Sequence, residues 1–177
     1  MTNAFVRATA LASALGLDLG AAVERLAGDP VAPARDTTAG GAWPYFAIPV
    51  AANDWLKRAE IIAGAVAESL RHEAALPPEQ WAKLPCIVGS SSNSVGAWDA
   101  GGWSALQPPI VLCEMIARWF DVHGPTLSIN TSCTSGLSAL DAAVGLVASG
   151  RFDDALVVGI ELSYLPWRLF DARGLNV

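Results

Sequence analysis

Apolar, strand-like runs alternate along this chain with longer segments of helical character. Ala155–Ile160 is apolar throughout, which is typical of a central strand covered on both faces. The alternation predicts an α/β fold in which helices are layered on a sheet. The predicted strands are Phe5–Ala10, Cys86–Val88, Thr126–Asn130 and Ala155–Ile160, and the predicted helices are Leu19–Leu26, Asp54–Ala75, Ile110–Phe120 and Cys133–Ser149.

The segments between these elements are rich in turn-forming residues. Residues 29–44 contain many Pro, Gly and Thr residues and predict a surface loop, and residues 96–109 predict an irregular segment. The sequence GSSSNSVG (89–96) lacks both the Lys-Ser/Thr of a P-loop and a G-x-G-x-x-G pattern, so a turn at a strand end is favoured over a phosphate site. With 177 residues and no internal repeat, the chain predicts one domain.

The composition is unusually apolar for a soluble monomer. Hydrophobic residues make up 53%, charged residues 16%, and the mean hydropathy is +0.38. We therefore expect either a large core or an apolar surface that meets a partner or further sequence. No uninterrupted apolar run is long enough for a membrane span. The net charge of −6, without a Lys/Arg-rich run, argues against a nucleic-acid surface.

The cysteines and histidines are few and widely spaced. Cys86, Cys113 and Cys133 form no C-x-x-C motif, which argues against a disulfide framework or a zinc site and predicts a reducing, cytoplasmic location. Both histidines, His72 and His123, are predicted to be surface residues, and no metal site is expected.

Cys133 lies in the most informative stretch, GPTLSINTSCTSGLSALDAAVGLVASG (124–150). The predicted strand ends at Asn130, a tight polar turn follows, and Cys133 stands at the mouth of the next helix. This arrangement exposes a nucleophile at the carboxyl end of a sheet. Free N–H groups and the positive end of the helix dipole would stabilise a thiolate, and the backbone N–H of Cys133 would help to bind an oxyanion. The alternative is that Cys133 is a small buried apolar residue, and the pattern alone leaves both open.

The helix after Cys133 is rich in small residues. Its larger side chains form a stripe that we expect to pack against the rest of the protein, in a helix that is deeply buried. The stripe consists of Leu137, Leu140, Val144 and Val147.

The stretch around Cys133 consists of Gly-Pro, a predicted strand and then I-N-T-S-C-T-S-G-L-S-A-L. It resembles the active-site signature of β-ketoacyl synthases. Other segments are similar to successive parts of that family: the opening V-R-A-T-A-L-A-S-A-L-G, the segment IVGSSSNSVG and the downstream G-R-F-D-D-A-L-V-V-G-I-E. The terminal F-D-A-R-G-L-N-V resembles the stretch that closes the family's N-terminal half. The resemblance covers nearly the whole chain in order.

This resemblance implies a thiolase-like fold, namely the N-terminal half of a layered αβαβα architecture with a mixed sheet. Residues 1–177 would form the nucleophile-bearing domain, and the C-terminal half, which in the family supplies two histidines and a lysine for decarboxylation, would be absent from this sequence. The family also implies a homodimer, or a heterodimer with a ketosynthase-like partner, in which residues 126–130 lie at the interface.

The resemblance also implies a condensing acyltransferase. Cys133 would accept an acyl group from an acyl carrier protein and elongate it with a malonyl-thioester unit, in fatty-acid or polyketide/polyene synthesis. No metal or cofactor is implied for this chain itself, since phosphopantetheine arrives on the carrier protein. Two alternatives stay open: a non-catalytic partner subunit of the chain-length-factor type, and a thiolase-type acyltransferase that does not decarboxylate.

Overall fold

Helices and strands follow one another along the chain in the computed structural model, which describes residues 3–36, 43–51, 55–93 and 107–161. The helices are α1 (Leu19–Leu26), α2 (Trp55–Ala74), α3 (Pro78–Trp81), α4 (Pro109–Trp119) and α5 (Ser135–Ala148). The strands are β1 (Ala34–Asp36), β2 (Trp43–Tyr45), β3 (Cys86–Gly89), β4 (Thr126–Ile129) and β5 (Leu156–Gly159).

The central sheet consists of three parallel strands in the order β4-β3-β5. Its middle strand, β3, is buried at all four positions. We expected β5 to be central, but within the described residues it lies at the edge and is mostly half-buried. Antiparallel strand pairing in the described part of the chain joins β1 to β2, which form a separate two-stranded ribbon.

Helices cover both faces of the central sheet. On one face, α2 and α4 pack against a core that includes Cys86, Val88 and Leu156, whereas on the other face α5 packs against Ile87. The chain passes from β3 to the neighbouring β4 through α4, and then from β4 across β3 to β5 through α5. Because these two crossovers run in opposite directions along the sheet, right-handed connections place α4 and α5 on opposite faces. The connections that follow β3 and β4 therefore diverge to opposite faces at the carboxyl edge, a position where α/β sheets commonly bind ligands.

Most of the predicted elements are confirmed with shifts of one or two residues. The helix Leu19–Leu26 has the predicted bounds, and Asp18 caps it by accepting a hydrogen bond from the Ala21 N–H at 2.8 Å. The predicted loop at residues 29–44 contains β1 and the start of β2, while residues 37–42 lie outside the described part. Most of the predicted irregular segment 96–109, with the end of the chain from residue 162, is likewise outside it.

The predicted opening strand, Phe5–Ala10, is wrong. This segment has no strand partner in the described residues, and Phe5 is 86% exposed. Two other interactions attach it to the sheet instead: an ion pair of 2.9 Å between Arg7 Nε and Asp154 Oδ1, and packing of Ala8 against the core. The alternating apolar pattern of a strand is not sufficient where no neighbouring strand edge is offered.

The prediction for the packing face of α5 is also wrong. Its buried residues are small ones, Ser135, Ala139 and Ala143, which allow the helix backbone to lie close to the sheet. The stripe of larger residues faces away from the sheet, and Leu137 is 70% exposed. The helix is therefore covered by the described residues on one side only.

No helix among the described residues is long and apolar enough to cross a membrane.

Candidate active site

Cys133 lies in the tight turn that connects β4 to α5, at the carboxyl edge of the sheet. Its side chain is exposed, whereas Cys86 and Cys113 are completely buried. The prediction of a helix beginning at Cys133 is wrong by two residues, because α5 begins at Ser135. Cys133 therefore lies outside α5, two residues before the first residue of the helix.

The turn before Cys133 adopts an unusual backbone conformation. Ser132 has a φ of +57°, in the left-handed region that costs a non-glycine residue about 1–2 kcal/mol. Asn130 Oδ1 accepts a hydrogen bond from the Ser132 N–H at 3.2 Å, and Ser135 Oγ donates to the Ser132 carbonyl oxygen at 2.6 Å. Asn and Ser side chains often form such local bonds to the backbone, which explains why this polar sequence makes a turn here.

Two threonines reinforce the same turn. Thr134 Oγ1 donates to the Thr131 carbonyl oxygen at 2.8 Å, and the Thr131 N–H donates to Ser135 Oγ at 3.0 Å. Thr131 Oγ1 also lies 2.9 Å from Ser138 Oγ, one turn into α5. Hydrogen bonds within the turn, and between the turn and α5, thus fix the segment that carries Cys133.

The first turn of α5 has unused hydrogen-bond donors. Thr134 occupies the N-cap position without a side-chain cap bond. Within the described residues, no hydrogen bond engages the N–H groups of Cys133 and Gly136. Such N–H groups, together with the helix dipole, attract an anion, so the site can bind a developing oxyanion next to Cys133.

Glycines let the start of α5 rest directly on the strand ends. A Cβ atom on Gly89, the last residue of β3, would lie 2.3 Å from the Ser135 carbonyl oxygen. Gly159, the last residue of β5, lies opposite Gly136, and a Cβ on Gly159 would meet the Gly136 Cα at an ordinary contact distance of 3.8 Å. The position of the Cys133 turn is therefore fixed by direct contact with the sheet backbone.

Polar residues after β3 and β5 gather at the same edge. The loop Ser90–Asn93 bends after β3, and the Glu161 carboxylate accepts hydrogen bonds from Ser91 and Ser92. Asn130 Nδ2, after β4, donates to the Ser91 carbonyl oxygen at 3.3 Å. Sequence reasoning gave no role to Glu161 or to the side chain of Asn130, although Glu161 directly follows a predicted strand and Asn130 is the last residue of another, positions that mark site residues in parallel sheets.

The remaining candidates lie elsewhere. His123 precedes β4, at the amino edge of the sheet opposite Cys133, and is exposed with Nε2 3.3 Å from Asp121 Oδ1. His72 is exposed near the end of α2. Residues 94–96 of the predicted strand-end turn lie outside the described part of the chain. In the part that the structure describes, no three His, Cys, Asp or Glu side chains are placed to hold a metal ion.

The two buried cysteines form a pair in the core between β3 and α4. Cys113 Sγ lies 3.9 Å from the Cys86 carbonyl oxygen. The hydrogen bond with Cys113, together with burial, raises the pKa of the Cys86 thiol above its ordinary value. Cys86 is thus held in its neutral form, which is neither nucleophilic nor accessible.

Comparison with known proteins places the chain in a family. Residues 61–175 match the family described as "Beta-ketoacyl synthase, N-terminal domain". The chain belongs to this family. The matched region contains the Cys133 turn, the three strands of the central sheet and the loop after each of them.

Relatives and a solved structure agree with this assignment. The chain is 40% identical over 92 residues to a reducing polyketide synthase of Gibberella moniliformis, and 36% identical over 80 residues to a cyclo-acetoacetyl-L-tryptophan synthase of Aspergillus oryzae. These matches cover 47% and 45% of this chain, but only 4% and 2% of the relatives' lengths. A crystal structure of a beta-ketoacyl synthase from Burkholderia phymatum matches 98% of this chain and 50% of its own chain, with a TM-score of 0.62 and 16% identity. The fold is thus the thiolase-like α/β fold that the sequence predicted.

Proposed function

We propose that this chain carries the acyl-accepting site of a condensing enzyme of the 3-oxoacyl-[acyl-carrier-protein] synthase type, with Cys133 as its nucleophile. The observation that carries the proposal is the setting of Cys133. It is the exposed cysteine of three, it stands before the uncapped N-terminus of α5, and it follows β4 at the carboxyl edge of the sheet, beside the end of β3.

The first chemical step follows from that setting. The Cys133 thiolate attacks the carbonyl carbon of an acyl thioester, and the negative charge moves to the carbonyl oxygen. The N–H groups of Cys133 and Gly136 are available to donate to this oxygen. When the tetrahedral intermediate collapses, the bond from carbon to the carrier's sulfur breaks, the carrier leaves as a thiolate that takes up a proton from water, and the acyl group stays on Cys133.

The second step elongates the acyl-cysteine. A malonyl thioester loses carbon dioxide, and the electron pair of the broken C–C bond forms an enolate. The enolate attacks the acyl carbonyl carbon, the bond to Cys133 breaks, and a β-ketoacyl thioester is released. The described histidines lie away from the carboxyl edge of the sheet, so the groups that assist decarboxylation come from outside the described residues.

The acyl donor in this proposal is an acyl carrier protein, and its phosphopantetheine arm is the only prosthetic group involved. A reducing, cytoplasmic compartment fits a chain whose three cysteines are free. A dimer through β4 is supported by the position of this strand at the edge of the described sheet, where Leu127 is largely exposed.

Two other functions of the family predict different behaviour. A non-catalytic partner subunit does not need an accessible thiol at this position, and the exposure of Cys133 favours the enzyme. A thiolase-type acyltransferase would condense two acetyl-coenzyme A molecules without consuming a malonyl thioester. Product analysis with acetyl-coenzyme A alone, and with malonyl-carrier protein added, separates these reactions.

Covalent labelling tests the proposal directly. The chain is incubated with octanoyl-N-acetylcysteamine, and the modified cysteine is located by peptide mass spectrometry under conditions that preserve thioesters. We expect acylation at Cys133, no acylation at Cys86 or Cys113, and loss of the adduct in Cys133→Ala. Equal labelling of all three cysteines in the folded protein, or no labelling of Cys133, would refute an acyl-accepting role.

A further inference from the structure

The loops after all three central strands are joined by hydrogen bonds that end at the Cys133 turn. Glu161, two residues beyond β5, contributes both carboxylate oxygens: Oε1 accepts from the N–H and, at 2.8 Å, the Oγ of Ser91, and Oε2 accepts from the Oγ and, at 3.2 Å, the N–H of Ser92. Hydrogen bonds to a charged acceptor are roughly twice as strong as neutral ones. Glu161 therefore fixes the backbone of the loop after β3.

Asn130 connects this loop to the nucleophile. Its Nδ2 donates to the Ser91 carbonyl oxygen at 3.3 Å, and its Oδ1 accepts from the Ser132 N–H at 3.2 Å. Ser132 is the residue before Cys133 and has the left-handed backbone conformation, with φ +57°. The Asn130 side chain thus bonds both to Ser132, the strained residue of the turn, and to the loop after β3, which Glu161 anchors.

We propose that Asn130 is a positioning residue for Cys133, and that Glu161 acts on the nucleophile through Ser91 and Asn130. The inference rests on the proposed function, since it concerns how Cys133 is presented to an acyl thioester. The left-handed conformation of Ser132 persists because surrounding bonds over-determine it. Without the Asn130 amide, Ser132 relaxes and Cys133 moves relative to the N–H groups of the first turn of α5.

Two substitutions at Asn130 separate its two bonds. Asn130→Ala removes both of them. Asn130→Asp keeps an acceptor for the Ser132 N–H but places a carboxylate oxygen against the Ser91 carbonyl, which breaks only the connection to the loop. Glu161→Gln weakens the anchor of that loop, because the amide nitrogen cannot accept from a backbone N–H. Glu68→Gln, on the exposed side of α2, is the matched control for the loss of a carboxylate.

The measured quantity is the second-order rate constant for acylation of Cys133 by octanoyl-N-acetylcysteamine in the full chain, with the melting temperature recorded for every variant. We expect Asn130→Ala to lower the rate constant about 100-fold, the usual consequence of misplacing a reacting group by an ångström. Asn130→Asp and Glu161→Gln lower it less, and Glu68→Gln leaves it at the wild-type value.

A double-mutant cycle tests the connection between the two residues. If Glu161 acts through Asn130, adding Glu161→Gln to Asn130→Asp produces no further loss in rate, because the connection is already broken. A full multiplicative loss would overturn the role of Glu161. An Asn130→Ala variant that is acylated at the wild-type rate would overturn the role of Asn130.

Failure of the proposed function gives a different result. In that case the wild-type protein itself is not acylated at Cys133, and the positioning role is refuted with it. If Asn130→Ala does not fold, Asn130→Asp and Glu161→Gln decide the question: wild-type rates in both refute the inference, and reduced rates that are not multiplicative support it.

Discussion

Replacing Gly89 by alanine pushes against the backbone of Ser135 and Gly136, which directly follows the Cys133 turn. The added Cβ would lie 2.3 Å from the Ser135 carbonyl oxygen, 2.6 Å from its carbonyl carbon and 2.9 Å from the Gly136 nitrogen. Ordinary contacts between such atoms begin more than 3 Å apart, so the first turn of α5 has to move by roughly 1 Å. No flexible side chain is available to absorb the clash, since all three atoms are backbone atoms.

Two effects follow from this displacement. Overpacking at a buried position costs about 1–3 kcal/mol of the free energy of unfolding. Movement of the first turn also changes the distance between Cys133 and the N–H groups that would stabilise its oxyanion. A misplacement of about 1 Å lowers such a rate roughly 100-fold. We expect both losses in Gly89→Ala.

The assay is the rate of Cys133 acylation by octanoyl-N-acetylcysteamine, measured beside urea denaturation. Gly124→Ala is the matched control, because its Cβ would lie equally close, 2.3 Å, to the Leu84 carbonyl oxygen, but at the amino edge of the sheet. This variant should lose stability while its folded fraction keeps the wild-type acylation rate. Gly64→Ala, with nothing within 4 Å of the new Cβ in the exposed part of α2, should gain about 1 kcal/mol. Equal acylation rates in Gly89→Ala and Gly124→Ala would refute the argument.

Three further variants test other parts of the structure. The raised pKa of the buried Cys86 thiol confines its ionisation to the unfolded state, so the contribution of this thiol to the free energy of unfolding is constant below pH ~8.5 and falls above it by about 1.4 kcal/mol per pH unit. Urea titrations of the wild type and Cys86→Ala would show this contribution as a difference in slope, and equal slopes would contradict it. Along β4, backbone N–H groups point alternately toward β3 and away from it, and the Ser128 N–H points away. Ser128→Pro removes this N–H and should dissociate a dimer formed through β4 in light-scattering measurements, whereas Ser128→Thr should not. Asp18→Ala removes the cap of α1 and should lower the free energy of unfolding by about 1 kcal/mol in chemical denaturation; a loss close to zero would mean that α1 is not part of the cooperative unit.

The alternation of strands and helices was readable because it depends on local sequence. The three strands of the central sheet are apolar runs whose starts are marked in the sequence: they follow Pro85, Gly124-Pro125 and Ala155. The position of the candidate nucleophile was likewise predictable, since the order of strand, polar turn and small-residue helix is contained in one continuous segment. The position of Cys133 at an exposed turn agrees with that prediction, while its catalytic role stays a prediction.

Features that depend on distant partners were not predictable. Phe5–Ala10 has the apolar alternation of a strand, yet its conformation depends on whether a neighbouring strand edge is free, which the local pattern does not encode. The interactions of Glu161 are not encoded locally, because its partners, Ser91 and Ser92, are about 70 residues away in the chain. A carboxylate directly after a buried strand was the one available signal, and it becomes informative only once β5 is known to lie beside β3.

The error about α5 is itself informative. Large apolar residues normally mark the buried face of a helix, but here the sheet requires the small face, because Gly89 brings the helix backbone into direct contact with the end of β3. Leu137, on the opposite face, is then left exposed by the described residues, in a chain with unusually few charges. An apolar stripe of this kind is costly in water. The one-sided burial of α5 thus accounts for part of the high hydrophobicity of the sequence, and the exposed stripe begins four residues after Cys133.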